Sequence, residues 1–358
     1  MNHHAFTLAL VAAVSTLTVA SADIVIPVGS NGFSWKPNGE LDSRISAGYS
    51  TKYISRGLAM EDSRTNNIGD FEAVFQYNLP ENNALLVGGK YRWFARNGTK
   101  HSEMPDKEAL KAYVKEWLNN PGYREYKLDE SMCDEATFTV QFAHYFSERI
   151  MLAAGYEFVH GGLPGRLHAT DYEAKFDAVD NFITNGGSYG DIMGADAGSA
   201  AFNSNRAEEH SVVIDLHHEF AKGLDGLFFD SRTRYVFRWE RGWWFSNTLG
   251  YRYELCDSAD LIFSATWHAT LGYFDSDMAN CNGTQAYTFS VFAPISVTER
   301  LIITPHATCT IIGNGAKKGQ NKVAGRLFTY NDYSILIGHE YDYEDVAFDF
   351  GVSATYAF

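Results

Sequence analysis

Proline is scarce in this chain, with 8 in 358 residues. Few prolines leave long extended segments uninterrupted, since proline cannot donate to a strand ladder. Long hydrophobic runs are also missing. After the first 22 residues no segment offers 18 consecutive apolar residues, and mean hydropathy is −0.24, so membrane-spanning helices are not expected there. Basic charge is in short supply. Lys+Arg total 29 against 44 for Asp+Glu, a net charge of −15, which argues against nucleic acid as a partner. The four cysteines, Cys133, Cys256, Cys281 and Cys309, have no CxxC spacing, so a zinc site is not expected. In an oxidising compartment they allow three pairings, of which Cys281 with Cys309 is favoured because these two flank neighbouring segments. No GxSxG element accompanies the histidines His217, His218, His268, His306 and His339, so no hydrolase site is expected. Asp191 and Asp196 match no calcium loop. The chain reads as a non-enzyme that needs no cofactor.

The first 22 residues read as a secretory signal. An apolar stretch from Ala5 to Val14 gives way to small residues, and Ala20-Ser21-Ala22 has the small-x-small form of a cleavage site. His3 and His4 stand where lysine or arginine is usual. The expected mature chain starts near Asp23, is exported, and opens with a periplasmic segment over 23–40.

What is abundant is aromatic residues, at 15% with 21 Tyr and 25 Phe, set in a period of two. From Val346 to Phe358, every second residue is apolar or aromatic, and the residues between are small or polar. Such alternation marks a strand with one greasy face. The same pattern recurs in Ile45–Tyr53, where Ile45, Ala47, Tyr49, Thr51 and Tyr53 share a face, and in 70–79 and 85–93. It continues at 137–142, 150–158, 212–220, 235–239, 245–253, 261–273, 287–291 and 301–311. That makes about twelve strands, and 322–340 either adds two short ones, making fourteen, or forms a hairpin within a long outer loop. Strands of about 10–13 residues suit a tilted bilayer crossing and exceed the usual soluble strand of about 5–6. Connections at 80–83, 147–149 and 297–300 are short, whereas 96–134 and 161–208 are long. The expected fold is therefore all-β: a transmembrane antiparallel up-and-down barrel over 41–358, with short periplasmic turns and long extracellular loops.

Two loops carry further detail. Pro105–Asn120 reads as a helix, with Leu110, Tyr113, Val114 and Trp117 on one face. Loop 161–208 is rich in Gly, Ser, Asn and Asp. One of the two long loops is a candidate to fold into the barrel and narrow it. The aromatics Trp93, Trp239, Trp243, Trp244, Trp267, Tyr273, Tyr356 and Phe358 lie near strand ends and read as interfacial girdles.

The segment Tyr49-Ser50-Thr51-Lys52-Tyr53-Ile54-Ser55-Arg56-Gly57-Leu58 resembles the opening signature of the TorF-like porin family, an aromatic strand running into Arg-Gly-Ile/Leu. The repeated pattern that ends at Phe358 is similar as well, so the likeness covers most of 40–358. It implies a bacterial outer-membrane barrel with a passive, porin-like role. The C-terminal strand likewise resembles the signal read by the barrel-assembly machinery. Outer-membrane lipid and lipopolysaccharide are the implied surroundings, and small solutes the implied cargo.

Charges interleave with the greasy faces. Arg44, Lys52 and Arg56 fall on the inner face of the first strand, Asp70 and Glu72 on the next, then Lys90 and Arg92. Later come Asp215, His217 and Glu219, then Arg232, Arg234 and Arg238, then Arg252. A lysine or arginine facing lipid at the midplane costs about 2–4 kcal/mol. These side chains are therefore assigned to the lumen, as candidates to line a pore that selects among ions and polar solutes. The competing reading has the same charges pairing across strands in a closed barrel, whose outer loops bind ligands.

Overall fold

The computed structural model describes residues 41–59, 66–94, 112, 116–117, 119–127, 133–162, 208–220, 223–237, 242–272, 282–319, 323–330, 332–340 and 343–358. The expected signal, the 23–40 segment and almost all of loop 161–208 lie outside these. In chain order the strands open with β1 Leu41–Lys52, β2 Ile54–Ser55, β3 Leu58–Ala59, β4 Asn66–Leu79, β5 Asn83–Phe94 and β6 Gly122–Lys127. There follow β7 Cys133–Ser147, β8 Ile150–Gly162, β9 Glu208–Glu219, β10 Leu227–Val236, β11 Gly242–Cys256 and β12 Ala259–Leu271. Last come β13 Gly283–Phe292, β14 Ile295–Ser296, β15 Leu301–Ile312, a one-turn helix α1 (Asn314–Gly319), β16 Val323–Tyr330, β17 Tyr333–Glu340 and β18 Val346–Ala357.

Twelve long strands pair antiparallel with their neighbours in the order β1-β4-β5-β7-β8-β9-β10-β11-β12-β13-β15-β18, and β18 returns to β1. The ring closes through Arg44↔Ala357 to Ser50↔Gly351. Closure removes the two sheet edges that an open sheet would leave with unpaired backbone groups, as a membrane-embedded sheet requires. The twelve strands are 10 to 15 residues long, enough to cross a bilayer at a tilt. No described helix is long and apolar enough to cross a membrane.

Side chains follow the dyad period. Exposed apolar and aromatic residues ring the outside, among them Tyr49, Phe71, Tyr91, Phe142, Phe263, Phe289, Phe348 and Phe350. Phe348 is 61% exposed, and Asp349, next in sequence, is 1% exposed. A soluble barrel reverses this relation, with its apolar face inside. A continuous greasy exterior is stable only against lipid, and the fold is that of a transmembrane barrel.

The two ends differ. At one end the connections are tight: Pro80–Asn82, Glu148–Arg149 and Asp257–Ser258. The chain's terminal strand also finishes there, with Phe358 N donating to Ser43 O and Ala357 N to Arg300 O. At the other end β16 and β17 form a hairpin, and β6 adds to β17 in parallel, giving a three-stranded sheet separate from the barrel. Of the two readings of 322–340, the outer-loop hairpin is therefore the observed one, and the barrel has twelve strands. Residues 112, 116, 117 and 119 are helical, consistent with the end of the expected 105–120 helix, and Asn120 N donates to Glu116 O at 3.1 Å. The remainder of that helix lies outside the described residues.

Three expectations are corrected. The alternation puts Tyr53 on the greasy face, but the chain leaves the wall at Lys52, and Tyr53 is buried, its hydroxyl donating to Glu135 on β7 at 2.5 Å. Thr51 has already turned inward, where its hydroxyl donates to Asp349. Trp244 does not join the girdle: it alternates inward from Trp243 and is buried. Cys309 carries a free thiol on the outer face of β15, opposite Phe289 and Phe348, so the favoured Cys281 pairing does not form. Cys256 is also free.

Candidate functional site

The interior is built from alternate residues of the wall, and it is asymmetric. The half formed by β4 to β10 carries most of the charge. Asp70 and Glu72 on β4 stand opposite Arg92 and Lys90 on β5. Lys90 Nζ lies 3.8 Å from a carboxylate oxygen of each acid. Asp70 folds over Gly48 of β1, where an added Cβ would come within 2.5 Å of its Oδ1, so a side chain at Gly48 would displace it. Arg92 Nη1 donates to Glu135 Oε1 on β7 at 3.0 Å. Arg44 on β1 is buried on the same inner surface.

Glu157 on β8 is the hub of the next sector. It receives Arg232 Nη2 at 2.6 Å and Arg234 Nη2 at 2.5 Å, both reaching past the intervening strand β9. Arg232 also lies 3.3 Å from Asp215 on β9, and Gln141 donates to Asp215 at 2.6 Å. Towards the short-turn end, His217 contacts Asp230 at 2.5 Å and Glu219 at 3.7 Å, and Arg252 lies 3.9 Å from Asp260. Glu219, Arg252 and Asp260 keep roughly a quarter of their side-chain surface accessible, at 26%, 22% and 23%.

The other half, β11 to β18, is lined chiefly by hydroxyls. Thr248 meets Thr266 at 2.8 Å, Thr288 meets Thr310 at 3.1 Å, and Ser290 meets Thr308 at 3.0 Å. His268 lies between Ser246, at 3.0 Å, and Thr288, at 3.3 Å. His306 lies 3.3 Å from Asp349, whose other oxygen accepts from Thr51 Oγ1 and Lys52 N. Among the described residues no group of His, Cys, Asp and Glu is arranged to hold a metal ion.

The sequence-derived candidates are distributed as follows. Arg44, Lys52, Asp70, Glu72, Lys90, Arg92, Asp215, His217, Glu219, Arg232, Arg234 and Arg252 lie on inner faces of the barrel strands. Arg238 lies outside the described residues. Arg56 is corrected: it is not on the strand but at the turn of the β2–β3 hairpin, with φ 52°. This hairpin is a described segment that enters the barrel, whereas most of loops 96–134 and 161–208 lies outside the described residues. Arg56 forms a buried ion pair with Glu209 on β9 and stacks 5.3 Å from the centre of the Trp244 ring on β11. Lys52 pairs with Glu344 near its base.

Sequence reasoning missed Glu135, Glu157 and Glu209, the carboxylates that hold the arginines. The signal for Glu157 was present, since it lies between Tyr156 and Phe158 on an assigned strand. Glu209 was hidden beside the long loop, where alternation has only just begun.

No protein-family model matches the chain, and no curated protein matches it significantly. Solved structures are similar at low identity. The KdgM porin is similar with 7% identity and a TM-score of 0.38, over 88% of this chain and 99% of that one. An outer membrane channel from Pseudomonas putida F1 is similar with 10% identity and a TM-score of 0.45, over 93% of this chain and 100% of that one. The NanC porin is similar with 9% identity and a TM-score of 0.38, over 88% and 98%. The assignment as a barrel stands on the strand register above and not on these likenesses.

Proposed function

We propose that the protein is a porin-like channel of the bacterial outer membrane that passes ions or small polar solutes without chemistry. One observation carries this reading: the chain places its aromatics outside and its charges and hydroxyls inside a closed twelve-strand ring. Burying so many ionisable groups is costly unless the interior serves polar cargo or the groups pair. The candidates from Arg44 to Arg252 are proposed to line this passage. On this reading the short turns face the periplasm and the long loops the outside, in contact with lipid and lipopolysaccharide. The export signal over 1–22 and recognition of the Phe358 strand by the assembly machinery belong to the same proposal.

A second reading is favoured by one feature. Nearly every described inner charge has a partner, and Glu157, Arg232 and Arg234 are fully buried together. Such pairing suits a non-conducting surface barrel whose outer sheet β6-β16-β17 and loops bind ligands. The two readings separate in vesicles. Refolded protein in liposomes loaded with a large impermeant polymer is diluted into isotonic solutions of small neutral solutes. A channel gives swelling at a rate that falls with solute size, whereas a closed barrel gives the rate of empty liposomes.

A further inference from the structure

The hairpin Ile54–Ala59 is the feature of the interior whose role the channel reading leaves open. Its strands are two residues each, joined by Arg56 and Gly57, which both have positive φ. A ribbon this short does not persist by itself. The wall holds it at both ends. At the base, Ile54 and Ala59 cluster with Ala347 of β18, and Glu344 N donates to Ala59 O. At the tip, Arg56 pairs with Glu209, and Thr310 Oγ1 on β15 donates to Gly57 O at 2.6 Å.

The strand order gives this contact set its meaning. The hairpin leaves from β1, whose neighbours are β18 and β4, while β9 and β11 flank the strand diametrically opposite. Arg56 touches both of them, so the tip crosses the lumen to the far wall. No side chain is tolerated at the crossing point, since a Cβ on Gly57 would lie 2.4 Å from the His268 ring.

We propose that the hairpin Ile54–Ala59 is the size filter of the lumen, and that the Arg56–Glu209 pair is the latch that fixes it across the passage. This rests on the channel reading. The latched pair is buried, so it fixes the hairpin across the passage without adding a net charge to it. With Glu209 neutralised, the buried Arg56 guanidinium loses its ion pair to β9, and the hold of the tip on the far wall weakens. The tip is then drawn back from the far wall and the passage widens.

Two readouts test this, one independent of conduction. The first is single-channel conductance of wild type, E209Q, and a variant with Ile54–Ala59 replaced by two glycines. The proposal requires at least a threefold larger conductance for the replacement variant and stepping between two levels for E209Q. Equal conductance of all three overturns the filter and leaves the channel reading standing. The second readout labels T310C, in protein whose four native cysteines are serine, with a small charged thiol reagent. Hairpin replacement must raise the labelling rate at least tenfold, and E209Q at least threefold. Unchanged rates overturn the proposal. Silence of every variant in the bilayer overturns the channel reading, and the labelling rates then decide whether the hairpin closes the lumen. Where the replacement fails to refold, E209Q alone is held to the same labelling criterion.

Discussion

Glu157 has no exposed surface and holds two guanidinium groups. Removing one partner of a buried ionic cluster leaves uncompensated charge, worth about 3–5 kcal/mol. E157A is expected to lose that much stability, read from urea unfolding in lipid vesicles, and to shift ion preference towards anions. Val352 tests the opposite face. It lies mid-strand on β18 and is exposed, between the inward Gly351 and Ser353. V352R is expected to cost about 2–4 kcal/mol in the same measurement. A cost near zero for V352R would mean that this face does not meet lipid. Inner-face charges were legible residue by residue because a period of two leaves a charged side chain no other place. The exceptions are physical. Tyr53 and Trp244 keep the aromatic signature of the outer face, yet Tyr53 lies beyond the end of its strand, and Trp244 is the second of two adjacent tryptophans, only one of which can face out.

The β2–β3 hairpin is the element on which the interior's geometry turns. Gly57 combines a φ of 77° with a close approach to His268. An alanine there meets strain of about 1–3 kcal/mol together with a steric clash. G57A is expected to dislodge the tip while leaving the wall folded, seen as faster T310C labelling without change in strand content by circular dichroism. This element was hidden in the sequence. Thr51 and Tyr53 extend the alternation of Tyr49 without a break, so nothing in the period marks where the chain turns inward. The Arg56-Gly57 dipeptide was visible as a motif, but its turn depends on a partner, Glu209, more than 150 residues away in the chain (separation 153). The twelve wall strands were legible for the converse reason. Each keeps one face in a uniform solvent, and the register across neighbours, such as Val87↔Val140 or Phe263↔Val291, needs no further information.

At the scale of the molecule, closure is what makes the exterior tolerable. β1 and β18 complete the ring, so the barrel depends on strands from both ends of the described chain. Unheated protein is expected to migrate on a denaturing gel as a compact band that shifts on boiling, as a closed sheet resists detergent until its ring opens. A chain truncated before Val346 is expected to show no such shift. What the interior permits is the central question, and it is asked most directly by recording single channels from refolded wild-type protein in a planar bilayer under a salt gradient. The account requires discrete, low-conductance steps with a defined reversal potential. Protein that shows the heat-dependent gel shift yet inserts without any conductance would contradict it.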